Sequence, residues 1–588
     1  MNRSLLAFAA VFVALAGSTP ARAASRPAVE AEHGMVVASE HRAAEIGADI
    51  LRQGGNAIDA AVAVGFAEAV TNPCCGNLGG GGFLVAHLAA THRDVFIDFR
   101  ETAPAAATKT MYLDAAGAPI KGASLDGWRA VATPGTVLGL DAALKAYGAM
   151  SRDKVMAPAI ALARDGFILS RADADIFQAS ALRFTGDPEA AKIFLRPDGT
   201  PLQPGDRLIQ SDLAATLQAI ADRGPDAFYR GAIAEKIDAA MRANGGIVSA
   251  ADLAAYKIGE APPLSCDYRG FRFVSAPPPS SGGATLCEIL NVLEGYDLKR
   301  LGFHSAASVH LMVEAMRHAY MDRNTYLGDP AFVANPLDRL LSKDYAARIR
   351  AAILPDKATP SQDVQPGVAP HEKSETTHYS VIDKDGDAVA VTYTINGGFG
   401  AGVIAPGTGF VLNDEMDDFT VKPGVANLFG LVQGEANAIA PGKRPLSSMA
   451  PTLVEKDGRV VLALGSPGGS RIITTVLETA LNLIDYGMGL QEAVDAPRFH
   501  HQWLPDTIFA EPYAFSPDTQ KLLEGMGYTI VVQAPWSAAE VAATTGAAPS
   551  EAGPAADNPD SAFGGKMRPG YFYGANDDRR PAGTAVGP

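Results

Sequence analysis

The sequence has few cysteines, no long apolar run after its N-terminus and no excess of positive charge. Its 588 residues include four cysteines without any Cys-x-x-Cys spacing, which excludes a zinc-ribbon type of metal site. After the first two dozen residues, no stretch reaches the about 18 unbroken apolar residues of a membrane-spanning helix. The net charge of −16 argues against a nucleic acid or an anionic membrane as partner.

Two common catalytic signatures are also missing. The glycine run Gly79–Gly82 is not followed by Gly-Lys-Ser/Thr, so it predicts close backbone packing before a strand instead of a phosphate loop. The turn Ser466–Arg471 lacks the Gly-x-Ser-x-Gly pattern of nucleophilic serines. It is either a plain strand–helix turn or an oxyanion hole built from the backbone N–H groups of a Gly-Gly pair.

The N-terminus has the pattern of a secretory leader. Arg3 supplies a positive charge, Leu5–Gly17 is apolar but too short to cross a bilayer, and Ala21–Ala23 fits an A-x-A cleavage site. Residues 1–23 are therefore predicted to be a signal peptide that sends the protein to the periplasm, the alternative being a membrane anchor. A disulfide is permitted there, and Cys266 with Cys287 is the favoured pair because adjacent cysteines bridge only with strain.

The apolar patterning predicts layers of strands and helices. Hydrophobic residues make up 47% of the chain, which suffices for a large core. The first half is mostly helical around a few strands, and the part from Thr376 onward is richer in strands, which suggests stacked layers. Residues 400–412 are predicted as strand-turn-strand, and residues 534–569, rich in Ala, Pro, Gly and Ser, as a mobile insertion. The predicted helices are His41–Gln53, Ala57–Val70, Gly135–Tyr147, Lys154–Asp165, Ser211–Asp222, Ala234–Ala243, Leu286–Glu294, Ser305–Leu327 and Ile472–Ile484; the predicted strands are Met35–Ser39, Phe83–His87, Val95–Phe99 and Val460–Leu464.

A β-hairpin is predicted around the loop Lys384–Gly386. The flanking runs alternate apolar and polar residues, and Gly386 suits the left-handed position of a three-residue loop. In that loop Asp383 pairs with Asp387, and extending the ladder places Thr394 opposite Thr376. A slip of one residue would turn Thr394 to the other face, so this pairing depends on the loop type.

Thr376 is the candidate nucleophile. The preceding residues 366–375 are polar, contain Pro and Gly, and read as an exposed loop that ends at a Thr-rich strand. A threonine in this position can attack the carbonyl of Glu375, cut the chain, and then use its freed amine as the base for its own hydroxyl. The alternative is an ordinary exposed Thr-Thr pair at a strand start.

Four sequence motifs resemble those of one known family. They are T-T-H-Y-S-V-I-D-K-D-G (376–386), N-D-E-M-D-D-F (413–419), K-R-P-L-S-S-M (443–449) and G-S-P-G-G-S-R-I (465–472). Together they resemble the small subunit of the γ-glutamyltransferases, which are N-terminal nucleophile hydrolases, and the resemblance covers nearly the whole chain. It implies an α+β fold, the four-layer αββα sandwich.

The resemblance also implies a proenzyme without a cofactor or a metal. The chain would be cut between Glu375 and Thr376 into a large subunit, residues 24–375, and a small subunit, residues 376–588. Thr376 would carry the γ-glutamyl group as an ester and Thr394 would orient it. Gly468 and Gly469 would hold the oxyanion.

Further residues are implied to recognise the substrate. Taken alone, Arg100 also fits a solvated cap at a strand end, and Ser447 and Ser448 fit ordinary turn residues. Glu415 and Asp418 fit a solvated acidic turn that lacks the spacing of a calcium loop. Phe429 stands where many bacterial members have a tyrosine in the lid loop, and it cannot hydrogen-bond a gate partner such as Asn396. The implied substrate-binding residues are Arg100, Ser447 and Ser448 for the α-carboxylate, Glu415 and Asp418 for the α-ammonium, and Asn396.

The expected activity is hydrolysis and transfer of γ-glutamyl groups. Glutathione and related γ-glutamyl compounds would be donors, and water, amino acids or dipeptides would be acceptors. A glutaryl-type β-lactam acylase on the same fold is the enzymatic alternative, although such a substrate has no α-ammonium for the two acids. An uncleaved exported binding protein is the alternative of another class.

Overall fold

Two antiparallel sheets of seven strands form the centre of the protein in a computed structural model that describes residues 25–361, 374–546 and 567–588. Sheet A has the strand order β1-β18-β17-β13-β12-β9-β8 and sheet B the order β19-β2-β10-β11-β3-β4-β7. The strands are β1 Val29–Ala31, β2 Gly34–Ala38, β3 Gly81–Leu88, β4 Arg93–Asp98, β5 Phe167–Ile168, β6 Arg207–Leu208, β7 Gly259–Glu260, β8 Leu264–Tyr268, β9 Phe271–Ser275, β10 Ser374–Asp383, β11 Ala388–Gly397, β12 Thr452–Lys456, β13 Arg459–Gly465, β14 Phe499–His500, β15 Ile508–Ala510, β16 Ile530–Val532, β17 Glu540–Thr544, β18 Phe572–Asn576 and β19 Thr584–Val586.

Helices cover the outer faces of both sheets. Helices α1 to α4 pack with sheet B in one hydrophobic core, and α11, α13 and α16 pack with sheet A in another. The helices are α1 His41–Arg52, α2 Ala57–Thr71, α3 Thr136–Tyr147, α4 Arg152–Asp165, α5 Arg171–Phe184, α6 Pro188–Phe194, α7 Ser211–Arg223, α8 Asp226–Tyr229, α9 Ala232–Asn244, α10 Ala250–Ala255, α11 Gly282–Leu293, α12 Leu298–Leu301, α13 Ala306–Tyr326, α14 Leu337–Leu340, α15 Lys343–Ala352, α16 Ile472–Ile484, α17 Leu490–Asp495 and α18 Pro517–Gly525. The result is the expected four-layer αββα sandwich.

The hairpin β10–β11 lies in the middle of sheet B and has the predicted register. Thr376 pairs with Thr394, the N–H of Asp383 donates to the carbonyl of Asp387 at 3.0 Å, and Gly386 has a φ of +91°. Alternation along β10 turns Tyr379 toward the helices and Ser380 toward sheet A, where the Ser380 hydroxyl bonds the carbonyl of Glu540. The strand begins at Ser374, two residues earlier than predicted.

Helix α2 illustrates why the long helices predicted from the sequence are present in the structure. All of its residues are buried, and Asn56 caps it together with Asp59 in a capping box. The predicted helices and strands all occur, with ends that shift by up to four residues. Residues 400–412 are an exception, because they form turns with an isolated bridge between Ile404 and Val411 instead of two strands.

The segment predicted as a mobile insertion contains a central strand. Strand β17, Glu540–Thr544, is buried between β13 and β18, so the prediction is wrong for these residues. The small apolar side chains of β17 fit between the two neighbouring strands, although a sequence rich in small residues is also typical of loops. Within the rest of that prediction, Trp536, Ala538 and Ala539 are also buried, and residues 547–566 lie outside the described residues, as does the leader 1–23. Within the described ranges, no helix is long and apolar enough to cross a membrane.

Both cysteine pairs are bonded. Cys266 on β8 and Cys287 on α11 form the favoured disulfide, with their Cα atoms 5.9 Å apart. Cys74 and Cys75, which the sequence argument set aside as a strained pair, also form a disulfide, in the buried turn after α2. Covalent contact thus fixes the turn that leads into the glycine run before β3.

Candidate active site

The candidate nucleophile and its partner lie side by side. Thr376 Oγ1 and Thr394 Oγ1 are 3.2 Å apart, and each residue is at most 4% exposed. The backbone N–H of Asn396 donates to Thr394 Oγ1 at 2.8 Å. The Thr394 hydroxyl is therefore held in place by one bond and free to orient the Thr376 hydroxyl with the other.

His378 fixes the distance between the hairpin and the turn after β13. A Cβ atom on Gly465 would lie only 2.3 Å from the His378 ring, so the ring packs directly on the backbone of β13. The imidazole also bonds the Thr392 and Ser380 hydroxyls at 2.8 and 3.0 Å. Burial lowers its pKa to about 3, so the ring is a neutral spacer.

The Gly-Gly turn packs directly on Ser537 and Phe429 because side chains are absent there. Gly468 and Gly469 have φ values of +136° and +53°, which glycine adopts readily. A Cβ on Gly468 would lie 2.0 Å from Ser537 Oγ, and one on Gly469 would lie 2.2 Å from the Phe429 ring. Gly469 lines the same small cavity as Thr376, at the start of the turn that opens α16.

A fully buried arginine stands at the centre of the site. Arg100 forms ion pairs with Glu415 and Asp418, and its Nη1 lies 3.5 Å from Glu101 Oε2. Burial alone would lower the pKa of Arg100, but Glu415, Asp418 and Glu101 outweigh it and raise that pKa. Burial raises the pKa of Glu101 to about 7 and that of Glu415 well above its usual range, and Arg100 offsets this only in part. Three acids thus face one cation.

The two predicted serines lie beside a second arginine that the sequence argument missed. Arg323 on α13 donates to Ser448 Oγ at 2.8 Å and to Ser281 Oγ at 2.8 Å. Ser281 in turn donates to the backbone carbonyl of Ser447, whose own Oγ accepts from the N–H of Met449. Arg323 is buried, which lowers its pKa to about 10. Nothing in the helical pattern of α13 marked Arg323, since its partners come from distant segments.

Phe429 closes the site from the lid loop without a side-chain hydrogen bond. Its ring covers Gly469, and its backbone carbonyl accepts a hydrogen bond from Gln502 Nε2 at 3.1 Å. Gln502 Oε1 accepts from the Ser470 hydroxyl at 2.6 Å, so this second missed residue ties the lid to the glycine turn. Asn396 Nδ2 donates to the carbonyl of Asp414 and belongs to the wall of the cavity.

Within the acidic run 413–419, carboxylates accept hydrogen bonds from donors of the protein itself. Asp414 accepts from the N–H of Gly397, and Asp417 accepts from the Ser124 hydroxyl and the N–H of Leu428. These bonds fix the run as a buried turn that presents Glu415 and Asp418 to Arg100. Within the described part of the chain, His87, Asp94 and Glu455 are grouped closely enough to hold a metal, and they lie at the other end of the hairpin.

The cavity around Thr376 is small. Its walls enclose about 20 Å³, which is room for about one water molecule. Thr376, Thr394, Gly469 and the charged and serine side chains all line it, whereas Gly468 is not among the lining residues and Glu375 has no described side chain. The structure therefore brings together the predicted residues Arg100, Thr376, Thr394, Asn396, Glu415, Asp418, Ser447, Ser448 and Gly469.

The chain is similar to characterised proteins over most of its length. The sequence profile of the family described as gamma-glutamyltranspeptidase matches residues 43–564. The chain is 57% identical to the glutathione hydrolase proenzyme of Pseudomonas sp. (strain A14), covering 96% of each chain, and 52% identical to that of Escherichia coli (strain K12), covering 86% and 87%. The structure of cephalosporin acylase from Bacillus halodurans superposes with a TM-score of 0.80 at 26% identity, covering 98% of this chain and 99% of that one.

Proposed function

The chain belongs to the gamma-glutamyltranspeptidase family, and we propose that it hydrolyses and transfers γ-glutamyl groups through an ester on Thr376. Glutathione and related γ-glutamyl compounds are the donors, and water or the amine of an amino acid or peptide is the acceptor. The observation that carries this assignment is the shared cavity: the paired hydroxyls of Thr376 and Thr394 lie within one small space with Arg100, Glu415 and Asp418.

Maturation uses the same hydroxyl. Thr376 Oγ attacks the carbonyl carbon of Glu375, the peptide C–N bond breaks, and the Thr376 nitrogen leaves as an amine. Water then hydrolyses the resulting ester, which returns the hydroxyl to Thr376 and leaves a carboxylate on Glu375. After removal of residues 1–23 during export to the periplasm, the products are residues 24–375 and 376–588.

The charged cluster suits the zwitterionic head of a γ-glutamyl group. The α-carboxylate binds Arg100 with help from the Ser447 and Ser448 hydroxyls, and the α-ammonium binds Glu415 and Asp418. Because both acids now pair with Arg100, the substrate inserts between them, so that its carboxylate pairs with Arg100 and its ammonium pairs with the two acids. No buried charge is left without a partner during this exchange.

The catalytic step depends on the fixed position of the substrate's amino-acid head. The Thr376 amine takes the proton of its own hydroxyl, Oγ attacks the γ-carbonyl, and the N–H groups of the Gly468–Gly469 turn bind the oxyanion. Thr394 keeps the hydroxyl aimed. The amine product leaves with that proton, and water or an acceptor amine then attacks the ester carbon, which breaks the bond to Thr376 Oγ, while the Thr376 amine passes a proton of the attacking group to Oγ.

The cluster also separates this function from the acylase alternative. A glutaryl group carries a carboxylate without an ammonium. Binding it would add a carboxylate to the three acids Glu101, Glu415 and Asp418 beside Arg100, and nothing cationic would enter with it. The third alternative, a binding protein, requires a chain that stays uncut.

Replacement of the nucleophile tests the proposal. Thr376→Ala is expected to give one uncut chain without activity, while the wild type gives two chains and a small subunit whose mass begins at Thr376. Thr377→Ala is the matched control, because this neighbour points to the other face, where its Oγ1 lies 3.2 Å from Glu68 Oε2. Intact mass spectrometry and a denaturing gel give the readout. Cleavage of Thr376→Ala at the same bond would contradict the proposal.

A further inference from the structure

Gln502 is a fully buried residue whose side-chain amide makes four hydrogen bonds. Its Nε2 donates to the backbone carbonyls of Phe429 at 3.1 Å and Leu504 at 3.2 Å. Its Oε1 accepts from the Ser470 hydroxyl at 2.6 Å and lies 2.9 Å from His500 Nε2. A glutamine amide has two donor hydrogens and two acceptor positions, so all of its hydrogen-bonding capacity is used. Any contribution of Gln502 to catalysis must therefore come from the segments that it joins.

The partners of Gln502 fix the orientation of its amide. Backbone carbonyls only accept hydrogen bonds, so the Nε2 atom must face Phe429 and Leu504. Burial holds the pKa of His500 well below its usual range, so the ring is neutral, and its Nε2 carries the proton that Gln502 Oε1 accepts. The other ring nitrogen bonds the Thr474 hydroxyl on α16 at 2.9 Å. The amide therefore cannot rotate without losing several buried hydrogen bonds.

Gln502 joins two segments that meet at the Thr376 cavity. One is the glycine turn, which it holds at Ser470, the residue after Gly469. The other is the lid loop, which it holds at the carbonyl of Phe429, whose ring covers Gly469 and lines the cavity. The position of the ring relative to the turn is thus set in part by this one side chain.

The glycine turn needs such support because its backbone is conformationally free. An oxyanion is stabilised by N–H groups about 3 Å from its final position, and a misplacement of about 1 Å can cost about a hundredfold in rate. The Tyr320 hydroxyl donates to the backbone carbonyl of Ser470, while Gln502 accepts from the Ser470 side chain. The residue that follows the two glycines is therefore held through both its main chain and its side chain.

We propose that Gln502 is a positioning residue for catalysis, which holds the oxyanion turn and the Phe429 ring in one fixed arrangement. This inference rests on the proposed function, in which the N–H groups of that turn bind the oxyanion. Gln502 is not among the residues that line the cavity, so it acts through the turn. The N–H groups of the turn stabilise charge that develops only in the transition state. Loss of Gln502 should therefore lower kcat with little change in KM.

Gln502→Met is the first test, because methionine has a similar length and fills the space without these hydrogen bonds. The kcat for hydrolysis of γ-glutamyl-p-nitroanilide, counted per cleaved chain, should fall about tenfold or more. The KM should stay within about threefold, because the Arg100 cluster that binds the head of the substrate is intact. An unchanged kcat, or a loss that appears in KM alone, would overturn the inference.

Gln491→Met is the matched control for lost stability. Gln491 is also buried, and its Nε2 donates to the carbonyl of Asn576 and to Asp495 Oδ1, both at 2.9 Å. None of these three residues is among those that line the cavity. Both glutamine variants should lower the melting temperature, but Gln491→Met should keep kcat within about twofold. Equal losses of kcat in the two variants would show that kcat follows general stability, which would overturn the inference.

Ser470→Ala tests the hydrogen bond to the turn by itself. Its kcat should fall about threefold with an unchanged KM, and this test holds even if Gln502→Met does not fold. The double variant Gln502→Met/Ser470→Ala should lose less kcat than the product of the two single losses, because both changes break the same hydrogen bond. Losses that multiply would show that the two residues act independently and would contradict the inference.

Hydrogen exchange tests the bond to the lid loop. The backbone amides of residues 427–431 should exchange about tenfold faster in Gln502→Met than in the wild type or in Ser470→Ala. Unchanged exchange would mean that Phe429 is held independently of Gln502 and would overturn the inference. Failure of the proposed function is a different result, because the wild type would then release no nitroaniline from the γ-glutamyl substrate.

Discussion

The two ends of the hairpin β10–β11 each hold a buried cluster of charges, and the clusters differ in balance. At the turn end, two cations, His87 and Arg272, face two carboxylates, Asp94 and Glu455, across the space between the sheets. At the Thr376 end, the guanidinium of Arg100 pairs with three acids, while Arg323, which lines the same cavity, bonds serine hydroxyls. A balanced cluster is complete by itself and clamps the sheets together, whereas an acid-rich cluster has capacity for a further cation. The α-ammonium of a γ-glutamyl group is such a cation.

The pKa shifts express the same difference. At the turn end, burial lowers the pKa of His87, but hydrogen bonds to Asp94 and Glu455 outweigh it and raise the pKa to about 9. His87 is therefore charged at neutral pH and completes the balance. At the Thr376 end, burial raises the pKa of Glu101 to about 7 despite Arg100, so the acids are in excess of what one arginine can stabilise.

The largest effect is expected from Arg100. Arg100→Ala removes the cation that forms ion pairs with the three acids, and loss of one partner of a buried ion pair costs about 3–5 kcal/mol. The kcat/KM for a γ-glutamyl anilide should fall by about a hundredfold or more. Arg100→Lys keeps the charge but loses the two-pronged geometry of the guanidinium. We expect its kcat/KM to lie between those of the wild type and Arg100→Ala. Full activity in either variant would show that the cluster does not bind substrate.

An intermediate effect is expected from Thr394. Thr394→Ala removes the hydroxyl that orients Thr376, so self-cleavage and turnover should both slow by about tenfold without loss of folding. Thr392→Ala, one pair further along the same face of β11, removes a bond to His378 and serves as the control. Rates are measured from the appearance of the small subunit and from anilide hydrolysis. If both variants behave alike, the hairpin register does not set the geometry of the nucleophile.

The smallest effect on activity is expected from His87. His87→Gln should lower the free energy of unfolding by about 1–3 kcal/mol while kcat/KM stays within about twofold. The folded-state pKa of His87 lies above its unfolded value of 6.5, so its stabilisation is fully present below pH 6.5 and is lost as the pH rises through about 9. Urea unfolding of wild type and variant should therefore differ most near pH 6. A constant difference up to pH 10 would contradict the charge assigned to His87.

Local rules sufficed for the hairpin but not for the residues around it. The register of Thr376 and Thr394 follows from the loop Lys384–Gly386, because loop length fixes which residues face each other. Arg323 and Gln502 reach the site from segments more than 50 residues away from Thr376, and their own neighbours in sequence do not indicate this role. Residue patterns of one segment cannot show such contacts, which depend on how the sheets stack.

Strand β17 and the disulfide at Cys74 teach a second lesson. Ala542 and Ala543 in β17 have weak strand propensity, yet pairing with β13 and β18 on both sides makes them part of a central strand. The pair Cys74–Cys75 forms in a turn whose conformation is imposed by its buried surroundings. In both cases the tertiary environment overrides a local preference.

The central claim is that the acid-rich end of the hairpin binds the ammonium group of the substrate. It is tested by measuring the activity of Asp418→Asn on two donor substrates. The kcat/KM for γ-glutamyl anilide should fall by about a hundredfold, because the ammonium loses a charged partner. The kcat/KM for glutaryl anilide, which has no ammonium, should fall by less than about threefold or rise, since one repelling anion is gone. Equal losses on the two substrates would contradict the claim and make Asp418 a structural partner of Arg100 alone.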